Sequence, residues 1–397
     1  GLQWPRMYRT GVGVSGSVWV DSGYASISRE SPGTPDTTRL LQQGRSVVRV
    51  TPTYVSGNFF IQAQGELVLN NCQSTGSAKC ERAGQGTVDT DDLWIRIGQW
   101  NLWDLKVGRF EAWEMFHTGM GLDINTLERR GAQREGTPGN TLDTPDIYTV
   151  SFLHDRPTGM GIGYAAAHAY LGNLVRLELL GELGTDEASG KGSNIWGIRP
   201  SGIFEYRFLR FKWGAEYEKT THGTQILDNS DPDKGTVKVD DKFSIVRKGT
   251  GGSLQFVFDP YIEFGGNLAW AKVRENDDRG SIVAGRSFSR VSYGAFANLR
   301  VGAIARARAL NDLLLGGGYY YTWNTDEQRL NSDPDSNFTD HIQAYGAVQY
   351  HLAKQLFIKL VVAYASAYFR PTDVRSRPDQ EVSITTWSGR LRLMYLF

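Results

Sequence analysis

The chain has 397 residues, 40% of them hydrophobic and 22% charged, and its 43 basic and 43 acidic side chains leave no formal net charge. That balance removes bulk attraction to nucleic acid, and no run of roughly 18 uncharged apolar residues offers a membrane-crossing helix. A mean hydropathy of −0.37 does not exclude a membrane β-barrel, because the two faces of an alternating strand average out.

Alternation of polar and apolar side chains begins at once. From Tyr8 to Val20, Val12, Val14, Val18 and Val20 share one face, with Arg9, Ser15, Ser17 and Asp21 on the other. A Ser/Pro/Gly-rich stretch leads to a second strand, Arg45 to Val55. A tight turn at Ser56-Gly57-Asn58 enters a third, Phe59 to Leu69, which sets Phe59, Ile61, Leu67 and Leu69 against Gln62, Gln64 and Glu66. A polar segment holding Cys72 and Cys80 follows. Asp92 to Trp100 and Leu105 to Phe110 then form a hairpin around residues 101–104, and a long connector runs to about Pro145.

Beyond it, Asp146 to His154 reads as a strand turning at Pro157-Thr158-Gly159 into another that starts at Met160. Met160 to Glu182 is long for one strand, and its apolar phase slips near Gly172-Asn173; a single bulged strand is the preferred reading. A hairpin there, with a partner in Val237 to Val246, is the alternative and raises the count to about 18. The remaining strands are Asn194–Tyr206, Leu209–Lys219, Leu254–Phe258, Ile262–Lys272, Ser289–Val301, Leu313–Trp323, His341–Leu352, Leu356–Phe369 and Val382–Phe397. The total is about sixteen, an even number with short and long connectors in alternation, as an antiparallel membrane barrel requires. The expected fold is therefore all-β: one transmembrane antiparallel β-barrel over residues 1–397.

A soluble sandwich would need its apolar faces to meet each other, and its connectors would show no such polarity. In the last strand Leu391, Leu393, Tyr395 and Phe397 oppose Arg390 and Arg392. This ending resembles the C-terminal strand of Gram-negative outer-membrane barrels, where a terminal Phe is an assembly signal. Trp213, Trp270, Trp323 and Trp387 suit an interfacial aromatic girdle; Trp19 and Trp94 fall on the opposite face. No signal peptide is visible, and a start at Gly1 fits a processed mature chain.

About sixteen strands enclose an aqueous lumen. The alternation turns Arg9, Arg45, Arg49, Arg96, Lys106, Arg199, Arg210, Lys212, Arg290, Arg300, Lys359, Arg390 and Arg392 inward. Fewer acids accompany them: Asp21, Glu66, Glu205, Glu216, Glu218, Asp259 and Glu263. Hydrated in a pore, such an excess of cations favours anions; the plainer alternative is that the charges pair and only keep the lumen wet. Residues 111–145 carry both signs: Glu111, Glu114, Asp123, Glu128 and Glu135 with Arg129, Arg130 and Arg134. Folded into the lumen, that loop would constrict the pore and set up a transverse field.

Leu105-Lys106-Val107-Gly108-Arg109-Phe110, Gly121-Leu122-Asp123 and Thr126-Leu127-Glu128-Arg129-Arg130 together resemble the stretch entering the third loop of the phosphate-selective porin family. The resemblance covers about 25 residues. It implies a sixteen-stranded, trimeric outer-membrane porin with arginines guiding anions, and places Arg109, Glu128 and Arg129 at or near the constriction. Trp113 and Met115 stand where the family tends to have Pro and Phe, and Arg130 where Ser is common, so the architecture carries over and the substrate does not.

Cys72 and Cys80 lie close together in a polar segment read as a loop, where an oxidising compartment would favour a local disulfide over a free pair. The sequence Asn-Ser-Asp-Pro-Asp occurs twice, and Asp231, Asp233, Asp333 and Asp335 within it could offer oxygen ligands to calcium or simply make turns. No other cofactor is implied. The 6 histidines are scattered, with no HExxH or GxSxG spacing, so no enzyme is expected. The sequence reads as a bacterial outer-membrane porin passing small hydrophilic or anionic solutes; its partners would be the bilayer, lipopolysaccharide and two further copies of itself. A plugged structural or adhesin barrel whose loops bind a partner is the alternative.

Overall fold

In the computed structural model, residues 9–29, 36–75, 88–89, 92–110, 112–113, 163–186, 193–227, 237–277, 287–324, 338–369 and 382–397 are described. The period-two segments become strands because each carries one face suited to lipid and one suited to water. They are β1 (Gly11–Arg29), β2 (Thr37–Ser56), β3 (Phe59–Thr75), β4 (Val88–Asp89), β5 (Leu93–Gln99), β6 (Trp103–Arg109), β7 (Gly163–Leu171), β8 (Val175–Asp186) and β9 (Ser193–Tyr206). There follow β10 (Leu209–Leu227), β11 (Val237–Phe258), β12 (Ile262–Asp277), β13 (Ser287–Arg300), β14 (Leu313–Asn324), β15 (Phe338–Ala353), β16 (Leu356–Phe369) and β17 (Val382–Leu396).

Each strand pairs antiparallel with its neighbours in sequence, and β1 also pairs with β17, so the sheet closes on itself. The short β4 and β5 both pair with β3 and continue one another, so the wall has sixteen staves. Closure removes the two raw edges that an open sheet would carry. At the seam, Phe397 N–H donates to the Gly16 carbonyl at 3.0 Å and Gly16 N–H to the Phe397 carbonyl at 2.8 Å. A glycine is required there: a Cβ on residue 16 would lie 2.2 Å from the Val47 carbonyl oxygen and 2.4 Å from the Phe397 ring.

The outer face is apolar from stave to stave. Val12, Ile95, Leu183, Leu268, Val362 and Leu393 all stand exposed on it, an apolar belt far more extensive than a soluble monomer shows. Trp213, Trp270 and Trp387 are exposed on the same surface, whereas Trp19 is buried. The wall is a lipid-facing, multi-pass surface of the outer-membrane type. Two or three residues suffice to turn the chain at one end, as at Gly57-Asn58, Gly172 to Leu174, Arg207-Phe208 and Lys354-Gln355. The exception there is the β13–β14 connector, which holds a helical turn, Val301–Ala305, and a 3-10 turn, Arg308–Leu310.

The expected number of staves holds, but two of its parts do not. In place of the one bulged strand expected over Met160 to Glu182, residues 163–186 form a hairpin, β7 and β8: Gly172 has a φ of +56°, and Leu171 pairs with Val175 across the turn. The expected strand at 146–154 lies outside the described residues and has no place beside β6, which pairs with β5 on one side and directly with β7 on the other. Val237 to Val246 is the first half of the long β11 and not a separate strand.

Candidate functional site in the lumen

Residues alternate so that the polar set turns inward, and the lumen divides into two sectors of different charge. The seam sector comprises β16, β17, β1, β2 and β3. Arg392, opposite Asp21 in the β1–β17 ladder, donates from Nε and Nη2 to the two Asp21 carboxylate oxygens at 2.7 Å each. Its guanidinium also lies 4.0 Å from the centre of the Trp19 ring, a cation–π contact that explains why this tryptophan turns away from lipid. Arg390 Nη1 stands 3.9 Å from Asp21 as well, so one carboxylate faces two guanidinium groups. Lys359 is the cross-strand partner of Arg392, Arg45 that of Trp19, and Arg49 bonds Glu66. This sector therefore brings Lys359, Arg390, Arg392, Arg45 and Arg49 against two carboxylates, Asp21 and Glu66.

Eight staves away, β8 to β12 carry a nearly balanced set. Arg176 and Arg210 both bond Glu205 at 2.5 Å, and Arg247 bonds Glu218 at 2.5 Å. Arg199 lies between Glu178 at 4.0 Å and Glu216 at 3.8 Å. Lys212, Glu182 and Glu263 are buried on the same sector. Among the described residues the lumen wall is thus cationic along the seam and compensated opposite it.

A third group joins β5 to β8. His168 Nδ1 is 2.6 Å from Asp104 and Nε2 is 3.0 Å from Glu178. An imidazolium supplies an N–H to each carboxylate, whereas a neutral ring supplies only one. Arg96 donates to Asp104 at 2.5 Å and to the Tyr170 hydroxyl at 3.0 Å, and that hydroxyl donates to Asp104 at 2.8 Å. The start of the long connector docks on this cluster. Trp113 stacks on the His168 ring at 4.9 Å, its N–H donates to Glu178 at 3.3 Å, and its carbonyl accepts from Arg199 at 2.6 Å. Phe110 and Ala112 are buried with Tyr164, Ala166 and Leu180. The chain leaving β6 is thereby held against the inner wall.

Of the residues expected on the pore wall, Arg45, Arg49, Arg96, Arg210, Lys212, Arg300, Arg390 and Arg392 occupy inward positions. Arg290 pairs with buried Ala271 on the inward register, though its side chain is outside the described set. Arg9 and Asp259 are exposed at the short-turn end, before β1 and in the β11–β12 turn. Arg109 pairs with outward-facing Leu93, directly after Gly108 at φ +135°. Glu111, Glu114, Asp123, Glu128, Arg129, Arg130, Arg134 and Glu135 lie outside the described residues, as do Asp231, Asp233, Asp333 and Asp335. Cys80 lies outside them too; Cys72 belongs to β3 and pairs with Gln43, where a loop was expected.

Sequence reasoning missed Asp104, His168, Tyr170, Arg176, Glu178 and Glu182. Asp104 was read as a turn residue, and the others lie in the segment read as one slipping strand. The available signal was Arg176, Glu178, Leu180 and Glu182 alternating with Leu177, Leu179 and Leu183.

No known sequence family matches the chain, and no curated protein matches it. Solved structures do. The anion-selective porin from Comamonas acidovorans superposes with a TM-score of 0.54 at 10% identity, covering 98% of this chain and 99% of that one. In-vitro folded OmpT, an outer-membrane protein of Vibrio cholerae, gives 0.53 at 11% identity over 97% of both chains. Its trimer form gives 0.51 at 11% identity, over 98% of this chain and 99% of that one. The fold is the outer-membrane porin barrel. At these identities the likeness concerns the fold alone.

Proposed function

We propose that the chain forms a water-filled channel in the bacterial outer membrane for passive diffusion of small hydrophilic solutes, with a preference for anions. The observation that carries the reading is the cationic seam, where Arg390 and Arg392 share Asp21 and Lys359 stands opposite Arg392 in the next ladder. A row of fixed cations on one wall raises the local anion concentration and lowers that of cations. The anion selectivity named for the Comamonas porin and the trimer form of OmpT support, by analogy of fold, the same preference and a homotrimer embedded among lipid and lipopolysaccharide. Chemistry on a substrate is disfavoured at the His168 cluster, because both ring nitrogens already face carboxylates, which leaves neither to accept a proton from a nucleophile.

The test is reversal potential across a planar bilayer in a salt gradient. The native channel should favour the anion, and Arg390→Gln with Lys359→Gln should move the potential toward the cation side. An unchanged potential would remove the seam as the selectivity element. One observation favours the plugged-barrel reading instead: Arg390 and Lys359 are only 1% exposed and Asn298 is fully buried, so the lumen is crowded at those levels. Absence of stepwise conductance from folded protein would establish that reading.

A further inference from the structure

The short-turn end of the lumen contains a cavity of about 470 Å³ whose lining shares Lys359 and Arg392 with the cationic seam. It lies within the size range of small-molecule sites, roughly 300–1,000 Å³. Its wall comes from the ends of β13 to β17, and its rim from Asn311 and Asp312 of the β13–β14 connector. That connector is the elaborate one on an end otherwise closed by minimal turns. It is also tightly folded, since a Cβ on Gly302 would lie 2.2 Å from the Asn311 nitrogen.

The lining has two chemistries. Arg300, Lys359 and Arg392 supply positive charge, and Asp312 is the one carboxylate on the lining among the described residues. Arg392 is already bonded to Asp21 through Nε and Nη2. The Arg300 Nε is buried with no hydrogen-bond partner among the described residues, and so is the Gln349 Oε1. Buried polar atoms of this kind cost free energy unless something bonds to them. The Gln349 amide nitrogen is spent on His351 Nε2 at 3.0 Å, which leaves its carbonyl as an acceptor. The rest of the lining is apolar: Leu314, Phe357, Met394 and Leu396.

We propose that this cavity is a binding site for a small organic monocarboxylic acid with a compact apolar body. Arg300 and Lys359 would receive the carboxylate, in the fork geometry a guanidinium offers. Phe357, Leu314 and Met394 would cover the hydrocarbon part. An inorganic oxyanion would leave that apolar half of the cavity unfilled, and a second carboxylate would meet Asp312. The site deepens the channel reading: it would be a station at the inner mouth through which a permeating acid leaves.

The experiment measures benzoate binding by calorimetry on the folded barrel in detergent, with benzamide, acetate and phosphate as comparisons. Benzoate should bind saturably and at least about tenfold more tightly than phosphate or benzamide, and Arg300→Gln should weaken it by about tenfold, the worth of one charge-assisted hydrogen bond. Phe357→Ala should bring benzoate down to the level of acetate while the barrel still migrates as folded protein. No saturable heat from benzoate, equal binding of phosphate, or indifference to both substitutions would overturn the site. In bilayers, benzoate added on the short-turn side should block current saturably. Because calorimetry needs no current, binding without conductance would sink the channel reading and leave the site standing, whereas conductance without binding would do the reverse.

Discussion

Trp113 lies flat on His168, with ring centroids 4.9 Å apart and planes 15° from parallel, so the first residues of the long connector rest on an imidazole clamped between Asp104 and Glu178. The contact joins an element of the wall to an element of the bore.

Removing the imidazole should loosen the connector. In His168→Ala, Asp104 and Glu178 lose their shared donor, a loss of about 1.5–3 kcal/mol for each charged hydrogen bond. The expected result is greater open-channel current noise and faster proteolytic cleavage after residue 113, with His168→Gln showing an intermediate effect because its amide keeps one donor end. Noise and cleavage rates matching the native protein would show that Trp113 is held by other means.

Selectivity should respond to Asp21 in the sense opposite to the arginines. Asp21 is the carboxylate shared by Arg390 and Arg392. Asp21→Asn exposes their charge and should shift the reversal potential further toward the anion side. A shift toward cations would mean that Asp21 itself faces the permeating ions.

The two faces of β16 should tolerate opposite substitutions. Leu360 is exposed on the belt beside Leu391, and Leu360→Arg should cost about 2–4 kcal/mol near the bilayer midplane. Leu360→Ala removes apolar surface without adding charge and should cost less. Urea titrations of folding into lipid vesicles give both values; equal costs would place this face away from lipid.

Gly16→Ala should weaken closure more than an alanine elsewhere on β1. The added methyl meets both the Val47 carbonyl and the Phe397 ring, and overpacking of this kind costs about 1–3 kcal/mol. The folded band on unheated gels should be lost at a lower temperature than in the native protein. Combining it with Phe397→Ala relieves the ring clash but not the carbonyl one, so only partial recovery is expected.

The fold was legible where one face meets lipid and the other meets water, because Val, Leu and Ile then alternate with Arg, Glu and Gln. In β7 the contrast faded: the outward positions Ala165, Ala167 and Ala169 barely differ in hydropathy from inward Ala166, and the phase slip at Gly172 was in fact the turn. Strand ends were also underestimated. β3 continues to Thr75 and β10 to Leu227, where both faces are polar and alternation carries no signal. The same alternation put Arg210, Lys212, Arg390 and Arg392 on the inward register, but it also turned Arg9 inward, which is exposed before β1. The His168 cluster was not legible, since it depends on β6 meeting β7 across more than fifty intervening residues.

The ladder between the first and last strands joins Asp21 to Arg392, 371 residues apart. Until those two strands meet, every partly built sheet exposes two unsatisfied borders to whatever surrounds it. Such a ring gains little from pairing a few strands early, so assembly should be concerted and slow in water, and dependent on a bilayer or an insertion catalyst that shields the borders until the final staple forms.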